Sequence, residues 1–345
     1  MPSTAFETLL DATVNERSKE ITDQMLEGQP IIKAIKQKGG VKPWTAGGEK
    51  IEEIVKKGRN ATIAARDYKT PIPVEESDPT KMVSIGRRYV NGSMIIYKAQ
   101  IEANSSSKTR IFDLVEFYLN DLKDSLKRGV ALELWSDGTQ QSLSGLPAII
   151  SASNTYMDVD RSIIGNEWWR AKTGAAFTWD GYTFGPWNTA EPLVLIGGTD
   201  GGLSKGYDDC TDNGGTDFPD IIATSYPMFT KLKALFESNK MVIQQNEKMR
   251  DLGYPDNFQY RGAAIVWDRN CTLDGTWTDN PVIFINTDYL KIRPYMEYAK
   301  DIYVGPPVDL FAKEGVLGWK RPVQWGGNFT CTKPGSCGAL TGKTV

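Results

Sequence analysis

The sequence predicts an α+β fold made of more than one compact unit. Three observations carry that prediction. Residues 109–128 form a strongly amphipathic helix, residues 50–102 form a β excursion too long to fold back on one domain, and the region up to about residue 295 mixes short apolar strands with one clear helix. At 345 residues the chain exceeds the size at which a single core keeps growing. Its 40% hydrophobic and 10% aromatic content is enough to fill two cores and lies far from a disordered composition.

Taken in order, residues 3–27 read as an amphipathic helix, with Phe6, Leu9, Leu10, Val14, Ile21 and Met25 at helical spacing and Gly28-Gln29-Pro30 as its stop. Residues 29–44 carry Lys33, Lys36, Lys38 and Lys42 with no acid, together with Gly39-Gly40 and Pro43. Two readings fit them equally: a solvated linker, or an extended arm lying across a neighbour. In the excursion, Asn91-Gly92 between two apolar runs predicts a hairpin turn. The stretch Thr70-Pro71-Ile72-Pro73-Val74-Glu75-Glu76-Ser77-Asp78-Pro79 suits a projecting tip and forbids a central strand. An arm of ~15 residues at ~3.3 Å each reaches roughly 50 Å, so it is either mobile or held by another subunit.

In the helix over 109–128, Phe112, Val115, Leu119, Leu122 and Leu126 alternate at three and four, and Gly129 is expected to close it as a C′ glycine. Trp135-Ser136-Asp137-Gly138-Thr139 turns the chain into the next region. There, residues 193–196, 221–224, 263–267 and 282–285 read as strands and residues 226–239 as a helix. No internal repeat is present.

The chain contains no histidine, which removes Ser-His-Asp and Cys-His nucleophile activation, the H-E-x-x-H zinc helix and most mixed Cys/His metal sites. Forty basic against forty-three acidic residues give a net charge of -3, so composition offers no phosphate-gripping face. The N-terminus lacks the pattern of a signal peptide, and the apolar runs are too short to span a bilayer, which predicts a soluble chain made in the cytoplasm. Cys331 and Cys337 are close enough in sequence to pair, although reduced thiols are expected for all four cysteines, Cys210 and Cys271 included.

Candidate chemistry is sparse. Asp209, Thr211, Asn213, Gly214 and Asp220 fall on calcium-loop positions within residues 200–220. A second glycine, Asp at the last position and the lack of flanking helices favour a plain surface loop. Gly197-Gly198-Thr199-Asp200-Gly201-Gly202 lacks the spacing of a phosphate loop and opens no convincing helix. Trp168-Trp169-Arg170 is either a stacking platform for sugars or bases or, preferably, a pair divided between core and interface. Glu167 and Asp160 beside it are a possible acid pair. No catalytic, cofactor-binding or metal residue is assigned, and no enzyme activity is expected.

A different set of residues carries a resemblance. Leu143-Ser144-Gly145-Leu146-Pro147-Ala148-Ile149-Ile150, Asn154-Thr155-Tyr156, Asp160-Arg161 and Trp168-Trp169-Arg170 come first. Pro219-Asp220-Ile221-Ile222-Ala223-Thr224-Ser225, Phe258-Gln259-Tyr260-Arg261-Gly262-Ala263-Ala264-Ile265-Val266 with Asp268, and Ile285-Asn286-Thr287-Asp288-Tyr289-Leu290 follow in order. The last are Gly327-Asn328-Phe329-Thr330-Cys331 and Gly338-Ala339-Leu340-Thr341-Gly342. Jointly they resemble major capsid proteins of tailed bacteriophages, with the Hong Kong 97-like capsid fold.

The resemblance implies an N-terminal arm (1–49), an extended β-hairpin E-loop (50–105), a peripheral domain with a long spine helix (106–142), an axial domain (143–295) and a return to the peripheral domain (296–345). It also implies self-assembly into hexamers and pentamers of an icosahedral virion shell around double-stranded DNA, in the bacterial host cytoplasm and away from membranes. A separate scaffolding protein, a portal and a cement protein are the implied partners. Deleting residues 66–88 is expected to leave a foldable subunit that closes no shells. The rival readings are a carbohydrate-binding or glycoside-acting protein and another phage structural or tail protein.

Overall fold

A computed structural model describes residues 29–45, 47–58, 63, 65, 67–69, 79–104, 108–139, 141–173, 177–179, 182–184, 202–211, 217–238, 245–254, 256–272, 280–295, 303–306, 308–310, 315 and 317–340. The expected helix over 3–27 and strand over 193–196 lie outside them. In chain order the main elements are α1 (Pro30–Gln37), β1 (Lys50–Lys56), β2 (Thr80–Gly86), β3 (Arg88–Tyr97), α2 (Lys108–Glu133), β4 (Lys172–Thr173) and α3 (Gly202–Cys210). Then come β5 (Ile221–Thr224), α4 (Tyr226–Ser238), α5 (Glu247–Leu252), β6 (Phe258–Tyr260), β7 (Ala263–Trp267) and β8 (Val282–Ile285). The last are β9 (Leu290–Pro294), β10 (Tyr303–Val304), β11 (Val308–Asp309), β12 (Gly318–Cys331) and β13 (Gly338–Leu340).

Residues 29–44 are not a solvated linker, because their first half packs on the subunit's own core. Pro30 opens α1, where its missing N–H costs nothing, and the Gln29 side chain caps it by accepting from the Ile31 N–H at 2.6 Å. Ile31, Ile32, Ala34 and Ile35 are buried, so the lysines flank an apolar face. The chain then runs beside β9 in parallel, bridging Val41 to Ile292 and Trp44 to Tyr295.

Around β12 a five-stranded sheet forms. β3 pairs along one edge of β12 over its whole length, and β9, β10 and β11 follow one another along the other edge, all antiparallel. Asn91 and Gly92 therefore sit inside β3, opposite Gln324 and Val323, and make no hairpin. Long-range pairing with β12 overrides the local turn signal, and the chain breaks instead at Arg87. α2 likewise runs through Gly129 to Glu133. The face Leu122, Leu126, Val130 continues to buried Leu134, which offsets the ~1 kcal/mol a helix-interior glycine costs.

The six-stranded sheet has the order β6-β7-β5-β8-β13-β4, with parallel pairs β7/β5 and β13/β4. β5 and β8 are buried at every residue, which explains their unbroken apolar runs. One face packs on α3 and α4 through Leu203, Tyr207, Phe229, Phe236 and Phe284. The other joins a larger core containing α1, the inner face of β1 and β2, and Trp135, Trp169 and Trp325. α3 approaches this sheet closely at Gly206, where an added Cβ would lie 2.6 Å from the Phe284 ring. Gly206→Ala should therefore lower stability by about 1–3 kcal/mol. Urea unfolding that shows unchanged or raised stability would contradict that close approach.

Asp268, past the end of β7, ties the cap of α1 to this sheet. It accepts from Gln29 Nε2, from the Asn270 N–H at 2.8 Å and from the Tyr254 hydroxyl at 3.3 Å. Burial, the largest influence, pushes its carboxyl above the usual 3.8. A carboxyl with a raised folded value favours the folded state most below 3.8, and that contribution is lost as pH rises through the folded value. Asp268→Asn should remove this slope. Urea midpoints of the two proteins that run parallel from about pH 4 to 7 would contradict the assignment.

Candidate assembly surfaces

β1 and β2 form a two-stranded antiparallel ribbon, paired from Lys50 opposite Gly86 to Lys56 opposite Thr80. Two strands alone are marginal in water, so the ribbon needs a surface to lie on. Alternation supplies it. Ile51, Val55, Val83 and Ile85 point into the large core, whereas the opposite face stays outside.

Polar contacts fix the docked face. Buried Glu53 accepts from Arg293 Nε at 2.5 Å and from Thr330 Oγ1 at 2.9 Å. Asn328, itself buried, donates to the Gly86 carbonyl at 3.1 Å and accepts from the Ser144 N–H at 2.9 Å. Asp158 accepts from Lys50 Nζ at 2.5 Å and from Ser84 Oγ, and these hydrogen bonds hold its carboxyl below the usual range. The base of the excursion is thus bolted to its own subunit by one face, while its other face stays unburied. Deleting residues 66–88 would remove β2 and uncover Ile51 and Val55, so the clean truncation is residues 59–78, between the two strands.

The outward face carries an apolar cross-strand pair. Ile54 stands opposite Met82, and they are 71% and 62% exposed. Between the two strands in sequence, Ile63 and Tyr68 are also largely exposed, as is Phe117 on α2. Single exposed apolar residues are ordinary, but an Ile–Met pair on one ribbon face has the makings of a contact. No motif marks this pair in the sequence. Its signal was period-2 alternation in residues 50–56 and 80–86, in which both faces bear an apolar residue.

The sequence-predicted sites come apart. Trp168 and Trp169 lie on a 3₁₀ turn and are buried. Trp169 stacks on Tyr156 with ring centroids 6.0 Å apart and donates Nε1–H to the Tyr156 carbonyl at 3.1 Å. They form no stacking platform. Asp160 accepts from Ser162 and Glu167 accepts from the Gly165 N–H at 2.8 Å, so each closes a local turn. The Ser162 contacts hold the Asp160 carboxyl below its usual range, the opposite of what a general acid needs. Arg161 between them is fully buried beneath Tyr156, donates to the Ser151 carbonyl at 2.7 Å, and is lowered to about 10 by desolvation.

Residues 200–220 are not one surface loop. A helix, α3, does open after the glycine run, burying Leu203, Tyr207 and Cys210, and Asp209 within it pairs with Lys205 at 2.8 Å. Asp220 pairs with Lys38 and accepts from Thr287, while Asn213 and Gly214 lie outside the described residues. No group of ligating side chains that could hold a metal ion occurs among the described residues. Among them, no helix is long and apolar enough to cross a membrane.

No protein-family model matches the sequence, and neither does any curated protein sequence. Solved structures do match. A chain of the cyanophage A-1(L) capsid asymmetric unit superposes with a TM-score of 0.59 at 16% identity, over 89% of this chain and 91% of that one. A chain of the capsid of an empty GTA particle gives 0.54 at 9% identity, over 89% of both. The fold is that of phage capsid proteins. A chain of the holo-SrpI encapsulin complex from Synechococcus elongatus PCC 7942 also shares it, with a TM-score of 0.51 at 9% identity, over 88% of this chain and 85% of that one. The ribbon is thus docked on its own subunit by one face, with Ile54 and Met82 exposed on the other.

Proposed function

We propose that the chain is a major capsid protein whose copies self-assemble into the icosahedral shell of a tailed bacteriophage, enclosing double-stranded DNA in a structural rather than catalytic role. The observation that carries this reading is a capsid fold spanning nearly the full length of both chains. Residues 50–105 would serve as the E-loop, with its tip beyond β1 and β2 reaching a neighbour. Residues 106–142, with α2, would be the peripheral spine, and residues 143–295, with most of the six-stranded sheet, the axial domain. Residues 296–345 would return to the peripheral side through β12. β13 is the exception, since it pairs with β8 and β4. The arm reading is narrowed to the residues before Gln29, because α1 and the strand-like segment after it belong to the subunit's own core.

The mechanism is multivalent: each modest contact adds to the others because closure makes later contacts intramolecular. A net charge of -3 suits a lining that does not hold packaged DNA fast. Hexamers and pentamers of the chain, a separate scaffolding protein, a portal and a cement protein are the proposed partners, and host cytoplasm the site of assembly. The rival carbohydrate reading loses its basis with the burial of Trp168 and Trp169.

Size-exclusion chromatography and electron microscopy of the expressed chain test the proposal, with closed icosahedral shells as the expected result. Rings or tubes would favour the tail-protein reading. The encapsulin neighbour makes content a second test: nuclease-protected double-stranded DNA in particles from the native source is expected, and particles without it would overturn the genome-enclosing part.

A further inference from the structure

The turn between β12 and β13 joins the two sheets and has a thiol at each end. Cys331 is the last residue of β12, opposite Leu290, and its N–H donates to the Tyr156 hydroxyl at 2.9 Å. The next residue donates from N–H to the Tyr289 carbonyl at 3.1 Å. A 3₁₀ turn, Pro334–Ser336, then doubles the chain back, closed by the Ser336 and Cys337 N–H groups donating to Lys333 and Pro334 carbonyls at 3.1 and 2.9 Å. The Cys337 carbonyl accepts from the Lys172 N–H at 3.0 Å, at the start of the six-stranded sheet. Both cysteines are free and buried, and the Cys331 thiol hydrogen-bonds to that of Cys337.

We propose that Cys331 and Cys337 close into a reversible intrachain disulfide when the protein meets an oxidant, stapling the crossover between the two sheets. The turn is pinned at both ends, so the two sulfurs are already brought together by the backbone. Both thiols are shut away from solvent, so the exchange proceeds when the turn opens locally. One of the two, as thiolate, attacks one sulfur of a low-molecular-weight disulfide such as oxidised glutathione, forming a mixed disulfide and expelling one glutathione thiolate. The other, deprotonated in its turn, then displaces the second glutathione thiolate. Two protein thiols are oxidised, one disulfide is reduced to two thiols, and the two protons pass to the leaving thiolates.

The purified full chain, incubated with oxidised glutathione or with diamide, should fall from four alkylatable thiols to two after denaturation, and the non-reduced digest should contain a Cys331–Cys337 link that dithiothreitol opens. Cys331→Ser and Cys337→Ser should each abolish the link. Cys210→Ser should keep the link, although its sulfur packs near Gly338. Four thiols persisting under both oxidants, or a link mapped to another pair, would overturn the proposal. If the serine variants do not fold, the digest of the unaltered chain decides alone.

Discussion

Replacing Glu53 by alanine should destabilise the subunit by about 3–5 kcal/mol, because it leaves one member of a buried ion pair without the other. The Glu53 side chain is 3% exposed and that of Arg293 is 16% exposed, so neither charge recovers its hydration while the ribbon stays docked. Arg293 would keep a contact at 3.4 Å to the Lys42 carbonyl and would face Lys291, whose ammonium is already lowered by burial and by Arg293 itself. The cheapest escape is for β1 and β2 to lift off, which exposes Ile51 and Val55 as well. Glu53→Gln keeps the shape and an acceptor for Thr330 Oγ1 and should cost less. Chemical denaturation gives the energies, and limited proteolysis of residues 50–86 reports detachment. Two variants within about 0.5 kcal/mol of the parent would show that Glu53 does not anchor the ribbon.

Trp169→Ala should cost about 3–5 kcal/mol through the cavity it opens. Trp169 is 1% exposed, lies 5.1 Å from Trp168 between ring centroids, and stacks on Tyr156, whose hydroxyl holds the end of β12. The loss should therefore spread from the 3₁₀ turn to the junction of the two sheets. Thermal unfolding measures it, and a glycan array run beside it separates the readings. A variant that folds as stably as the parent but loses sugar binding would restore the stacking platform.

The strands over 221–224, 263–267 and 282–285 and the helix α4 were legible because their apolar runs reflect burial on both faces of one sheet. The α2 face was legible from its spacing of four. α1 was equally written in Ile31, Ile32, Ala34 and Ile35, but Pro30 both stops and starts helices, and lysine counting hid the start. α3 shows Leu203, Tyr207 and Cys210 at helical spacing, masked by glycines and acids that read as loop. Other features had no local signal. Glu53 and Arg293 are 240 residues apart, and β3 finds β12 only after the rest of the chain has been built. Asn91-Gly92 misled because a dipeptide states a preference that ten residues of long-range pairing outweigh.

Under the proposed function, the ribbon is anchored on its own subunit and the residues between β1 and β2 complete a neighbour. Deleting residues 59–78, with a short glycine linker joining β1 to β2, spares the anchor and removes the reach. Negative-stain electron microscopy of this variant beside the full chain, in conditions where the full chain assembles, is the direct measurement. Closed shells are expected from the full chain, and folded, unassembled subunits with unchanged circular dichroism from the variant. Normal closed shells from the variant would contradict that expectation.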